Sequence, residues 1–245
     1  MKIPQGKIRR AQDTNADPAS GSPFGSPKVL SDGAVKTSFV QRVYDVIMDA
    51  LDKGELRPGQ RIIAAEVAKT LQLSRAPVRE ALAVLAGQGL VELLPDRGAI
   101  LRPMSRKDIA SVYEVVAPIA AVGLKGAAKR LGENNNRHIA LDAMEAIRKA
   151  AEIQPRFRFF LVLNDYHYRL NALADNPYAT FLLRAMNLEY WNRLLAEVID
   201  LDRHIPGYVA NYERLTDAVM AGDEASIDAV LNWHARWCIE LIESA

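Results

Sequence analysis

The stretch LSRAPVREAL, Leu73 to Leu82, sets two arginines four residues apart at the start of a helix. Ser74 reads as the N-cap, because its side-chain oxygen can accept from backbone N–H groups of the first turn. Pro77 carries no N–H and is tolerated only in that first turn. Val78, Leu82 and Leu85 recur at helical spacing and predict the inward face, which leaves Arg75 and Arg79 side by side on the outer one. Such a pair suits a carboxylate elsewhere in the fold, a small anion or a long polyanion. The flanking sequence has to choose.

Upstream, Val40, Val43, Ile47 and Leu51 form an apolar stripe that predicts a helix from Ser38 to Lys53. GELRPGQRI (Gly54 to Ile62) ends it, with Pro58-Gly59 as a turn. A short helix is expected from Ala64 to Leu71, with Val67 and Leu71 facing inward, then a tight corner at Leu73-Ser74 and a third helix from Arg75 to Gly87. Two β-type runs follow, Leu90 to Leu94 and Ala99 to Arg102, joined by Pro95-Asp96-Arg97-Gly98, a good hairpin turn. Three helices closed by a hairpin within about 65 residues is the order of a winged helix-turn-helix.

In that arrangement the helix after the corner lays its N-terminal residues against base edges in the major groove. Arginine's planar fork bonds guanine O6 and N7 together. Arg75 and Arg79 are therefore expected to read bases, with Ser74 and Pro77 on the same DNA-facing edge. Arg97 and Gly98, at the hairpin tip, are expected in the adjacent minor groove or on a phosphate. Arg42, Arg61 and Lys69 are expected on phosphates, which position without reading sequence. The competing reading pairs Arg75 or Arg79 with Glu66, Glu80 or Asp96.

Charge distribution leans the same way. The chain has 31 Lys and Arg against 30 Asp and Glu, net +1. Residues 1–35 hold five basic residues against three acids, 36–105 ten against eight, and 106–245 sixteen against nineteen. A basic front suits nucleic acid. One cysteine, Cys238, excludes an intramolecular disulfide framework and fits a reducing cytoplasm. No apolar run is read as reaching the roughly 18 residues of a membrane span, and the basic N-terminus has no signal-peptide core. Residues 1–34, rich in Ser, Pro, Gly, Asn and Asp, are expected to be a flexible tail.

After Pro103 only helical periodicity remains. Six helices are predicted, at about 106–131, 134–152, 156–175, 177–199, 206–221 and 223–243, packed as an antiparallel bundle. The chain thus divides into a tail (1–34), a winged helix-turn-helix domain (35–104) and an all-helical effector-binding and dimerisation domain (105–245). The connection is too short for the two domains to tumble freely.

Residues 38–103 resemble the DNA-binding domain of the GntR family of bacterial transcription regulators, on GELRPGQRI, on LSRAPVREALAVLAGQGLVELLPDRGAIL and on the glycine-bearing wing. The resemblance implies a homodimer on a palindromic operator, repressing or activating. The second half resembles the helical effector domain of the FadR subgroup, called FCD. The carrying segments are Ser105 to Ile109, DYHYRLNALADNP (Asp165 to Pro177) and AVMAGDEASIDAVLNWH (Ala218 to His234). That subgroup often holds a divalent metal on one aspartate and three histidines. Here His167 and His234 match two of the four, while Leu163 and Tyr212 stand where the aspartate and the remaining histidine are expected, so the ligand set is incomplete. Val116 and Ala120 replace an arginine and a glutamate that the subgroup commonly shows, which removes an anchor for an acidic ligand. Arg184 and Arg193 are candidate replacements.

Three readings of the histidines stay open: hydrogen-bonded core residues, remnant metal ligands, or, with Asn164, Arg193 and Tyr212, the lining of a pocket for an organic acid or other metabolite. An architectural DNA-binding protein without a ligand is the alternative function. An enzyme is disfavoured: there is no HExxH, nucleophile elbow or Gly-rich phosphate loop.

Overall fold

The computed structural model describes residues 38–95 and 98–245. The expected tail at 1–34 and the wing-tip residue Arg97 lie outside the described residues. Helix α1 (Phe39–Asp52) starts where Ser38 accepts from the N–H of Gln41, and it buries Val43, Ile47 and Met48. Helix α2 (Ala64–Leu71) ends on Gln72 in the left-handed conformation, φ 54°, which turns the chain into the corner. Helix α3 (Arg75–Gly87) buries Val78, Ala81, Leu82 and Leu85 against α1 and α2. Strands β1 (Arg61–Ile62), β2 (Val91–Leu94) and β3 (Gly98–Leu101) form an antiparallel sheet of order β1-β3-β2. The two-residue β1 is too short to show alternation, so periodicity could not announce it.

The second half begins at α4 (Arg106–Lys129), closed by a capping box: Ser105 accepts from the N–H of Asp108, whose carboxylate accepts from the N–H of Ser105. Then come α5 (Asn136–Ala150), α6 (Phe157–Leu173), α7 (Pro177–Ala185), α8 (Leu188–Val198), α9 (Leu201–Ala221) and α10 (Glu224–Ser244). Helix α4 is the hub, packing on α6, α7, α8, α9 and α10. Contrary to expectation, α4 is long and apolar enough to cross a membrane; it buries Ala120, Leu124 and Ala127 inside the bundle instead.

Two helical boundaries differ from the sequence reading. The single helix expected at 177–199 is two, because Asn187 adopts the left-handed conformation, φ 48°. The helix expected from residue 206 starts at Leu201, capped by Asp200, so Pro206-Gly207 lies in its interior rather than at its start. Close approach of α4 and α6 requires glycine at two places. A Cβ on Gly123 would lie 1.6 Å from Asn171 Oδ1, and one on Gly126 would lie 2.7 Å from the Ala174 Cβ.

Candidate nucleic-acid interface and bundle cavity

Arg75 and Arg79 stand exposed on α3 and make no ion pair among the described residues, so neither Glu66 nor Glu80 takes them. Ser74 has N-cap backbone geometry (φ −74°, ψ 164°), but its hydroxyl makes no capping hydrogen bond and stays exposed beside the arginines. Pro77 sits in the first turn, half-buried. A cleft between α3 and the hairpin is lined by Ala76, Arg79, Glu80, Leu93, Pro95 and Gly98. Gly98 lets the sheet close tightly: a Cβ there would meet Arg61 Nε at 3.2 Å and the Ile62 carbonyl at 3.4 Å. That contact puts the Arg61 guanidinium at the base of the wing. Lys69 is exposed on α2. Arg42 has a partner within the fold. It is half-buried, and its Nη2 donates to the Leu71 carbonyl at 3.0 Å, tying α1 to the end of α2.

Inside the bundle, His167, Asn164, Tyr212 and His234 line one cavity of ≈ 50 Å³, together with Trp191 and Asn192 of α8. His167 Nε2 is 2.9 Å from the Tyr212 hydroxyl. His234 Nδ1 accepts from Asn211 Nδ2 at 3.0 Å. The amide orientation follows from Arg214, which can only donate and faces Asn211 Oδ1 at 3.5 Å. The His234 proton therefore sits on Nε2, 3.5 Å from Cys238 Sγ. Burial lowers His167 to about 4, and burial, then the neighbouring His167, lowers His234 to about 3. Both imidazoles are neutral at physiological pH. Burial likewise pushes the Cys238 thiol up to about 12.

This donor set does not fit a resident divalent ion. Two imidazoles, a phenol held well above its ordinary pKa by burial and a protonated thiol supply no anionic ligand. Leu163 lines the cavity where a carboxylate would be needed. Among the described residues no group of three or more His, Cys, Asp or Glu converges.

Arg193 does not belong to the cavity. Its guanidinium turns outward to Asp52 of α1, with Nε to Oδ1 at 2.7 Å and Nη2 to Oδ2 at 2.9 Å, while Nη1 donates to Glu189 at 3.0 Å. The Phe157 ring covers it at 4.2 Å. Three more bonds leave the same stretch of chain: the Tyr44 hydroxyl donates to Glu189 at 2.9 Å, the Asn187 amide to the Gln88 carbonyl at 2.8 Å, and the Tyr190 hydroxyl to the Arg102 carbonyl. So α8 faces the cavity with Leu188, Trp191 and Asn192, while Glu189, Tyr190, Arg193 and the preceding Asn187 hold α1, the end of the hairpin and the end of α3. Arg184 faces Tyr168, 5.1 Å from the ring centre. The Glu189/Arg193 spacing of four was legible in sequence; Asp52, 141 residues away, was not.

A winged helix-turn-helix joined to a helical bundle defines the class: a DNA-binding transcription regulator. The model of bacterial regulatory proteins, gntR family, matches residues 39–101. Over 125 residues the chain is 30% identical to an HTH-type transcriptional regulator in the TAR-I ttuE-ttuC' intergenic region of Agrobacterium vitis, covering 51% of this chain and 70% of that one. It is 29% identical over 208 residues to a Paenarthrobacter nicotinovorans protein named "Probable D-xylose utilization operon transcriptional repressor", covering 81% and 86%. In fold it is similar to Escherichia coli McbR/YncC, with a TM-score of 0.67, 19% identity, and 85% and 98% of the two chains covered. A GntR regulator from Rhodococcus sp. RHA1 also scores 0.67, at 22% identity over 85% and 99%. The chain belongs to the GntR family, whose members are transcription regulators that bind DNA.

Proposed function

We propose that this regulator acts in the cytoplasm as a ligand-responsive homodimer of the FCD subgroup, with residues 35–104 reading DNA and 105–245 sensing and dimerising. Arg75 and Arg79 of each chain read one half-site of a palindromic operator, Ser74 and the wing at Arg97-Gly98 contact the backbone or minor groove, and Arg61 and Lys69 hold phosphates. The observation that carries the ligand response is α8. Trp191 lines the cavity on the same helix whose Glu189, Tyr190 and Arg193 hold the DNA-binding half. A ligand that moves Trp191 moves the frame of α3, and spacing between two recognition helices changes with it. A ligand shifts the equilibrium only by its differential affinity for the two arrangements.

Apolar side chains left exposed on neighbouring helices support dimerisation through the bundle: Val115 and Val122 on α4, Tyr178 and Leu182 on α7. The test is selection of binding sites from random duplex DNA by the full chain, with sedimentation of the resulting complex. Two inverted half-sites and two chains per duplex are expected. One chain bound to a site without symmetry would sink the reading.

A further inference from the structure

The chemistry of the cavity names a ligand class that the subgroup resemblance does not suggest. None of the side chains lining it is a carboxylate, a lysine or an arginine. Arg193, the candidate cation on α8, has Nε, Nη1 and Nη2 all engaged by Asp52 and Glu189. A carboxylate buried here would have no countercharge, and an unpaired buried charge is strongly disfavoured. The walls are mostly apolar or aromatic, with Val116, Phe160, Leu163, Leu183, Leu188 and Leu231 around the ring residues.

Two polar atoms of the lining residues are buried and unpartnered: His167 Nδ1 and Trp191 Nε1. The indole N–H can only donate, so it asks for an acceptor. His167 Nδ1 takes whichever role the Nε2–Tyr212 bond leaves it, and the Tyr212 hydroxyl can turn to suit. A single molecule bearing a carbonyl, hydroxyl or amide can satisfy both.

Resting on the ligand-responsive reading above, we infer that the effector is an uncharged small molecule with an apolar, ring-sized body and one or two oxygen or nitrogen hydrogen-bonding groups, seated against His167 and Trp191. A cavity of ≈ 50 Å³ is well below the roughly 150 Å³ that accepts benzene without rearrangement, so the ligand displaces Leu188 and Trp191 to be seated. Those residues follow Asn187, whose left-handed backbone separates α7 from α8.

The experiment uses the full chain with operator DNA selected in vitro. Benzamide, benzyl alcohol and acetophenone are compared with benzoate and phenylacetate, reading titration calorimetry for binding and DNA anisotropy for release. At least one neutral compound is expected to bind at least tenfold more tightly than the anion of matching size, and to weaken DNA binding. Trp191→Phe, which keeps the ring and removes the N–H, is expected to weaken that neutral compound three- to tenfold while melting as a folded protein. Tighter binding by the anions overturns the class and leaves a ligand-responsive regulator standing. Neutral binding that leaves DNA affinity unchanged keeps the class and overturns the ligand response. Binding by neither set, or neutral binding indifferent to both Trp191→Phe and His167→Phe, overturns this inference.

Discussion

Arg75 and Arg79 are worth most where they are least restrained. Both are exposed and without ion pairs among the described residues, so no existing contact has to break when DNA arrives. Arg79→Ala is expected to cost about 1–3 kcal/mol on the selected operator and to relax preference at one base position. Lys69→Ala should weaken all sequences alike and reduce the salt slope by about one. Binding titrations on operator and scrambled duplexes at several salt concentrations separate the two. Arg42 carries a tie that residue type alone did not show: its Nη2 donates to the Leu71 carbonyl.

The histidines make a different prediction. Their folded pKa values are depressed below the ordinary 6.5, so the unfolded chain binds more protons in between. Their contribution to stability is fully present above about pH 6.5 and is lost as pH falls toward 4 for His167 and toward 3 for His234. Groups facing them are Tyr166, Tyr212, Tyr113, Tyr208 and Cys238, none of which titrates in that window from its raised pKa. Urea melts of the wild type and His167→Gln between pH 7 and 4 should show a smaller acid loss in the variant, by on the order of 1–3 kcal/mol. Parallel loss in the two would remove His167 from the account.

At the scale of elements, α8 and the α4–α6 contact matter most. Arg193→Ala leaves Asp52 and Glu189 without their shared cation and is expected to cost about 1–2 kcal/mol of stability, since both carboxylates keep some water. Arg193 does not line the cavity, so ligand binding should survive in the variant while its effect on DNA affinity fades. A full response in Arg193→Ala would place the coupling elsewhere. On α4, Gly123→Ala drives a methyl group into Asn171 and should cost about 1–3 kcal/mol in thermal melts. Gly123→Ala combined with Asn171→Ala should recover part of the loss, because the clash is with that side chain. Helix ends that carry their own caps, such as Ser105 with Asp108, were legible within a residue or two. The break at Asn187 was not, because its left-handed turn lies inside an unbroken helical pattern and the amide is satisfied by Gln88, 99 residues away.

For the whole molecule, the proposed dimer is carried by the exposed apolar set on α4 and α7. Val122→Glu or Tyr178→Glu is expected to shift sedimentation toward a single chain and to weaken operator binding more than half-site binding. Unchanged sedimentation in both variants would move the interface elsewhere. The basic front and acidic back place the positive charge on the half that reads DNA, which suits electrostatic steering of that half.

Local pattern determined the DNA-binding half. Apolar spacing, a cap, a corner and a turn each act within a few residues, and together they placed α2 and α3 at the residues expected and left Arg75 and Arg79 facing outward. The composition and periodicity after Pro103 likewise determined a helical bundle. Only tertiary structure decided what the bundle's polar residues do. Whether an arginine on a helix reaches a cavity or a distant aspartate depends on which helices meet, and that depends on close contacts such as Gly123 against Asn171. Packing thus removed Arg193 from the pocket, added Trp191 and Asn192 to it, and left His167 and His234 neutral because burial penalises their charged forms.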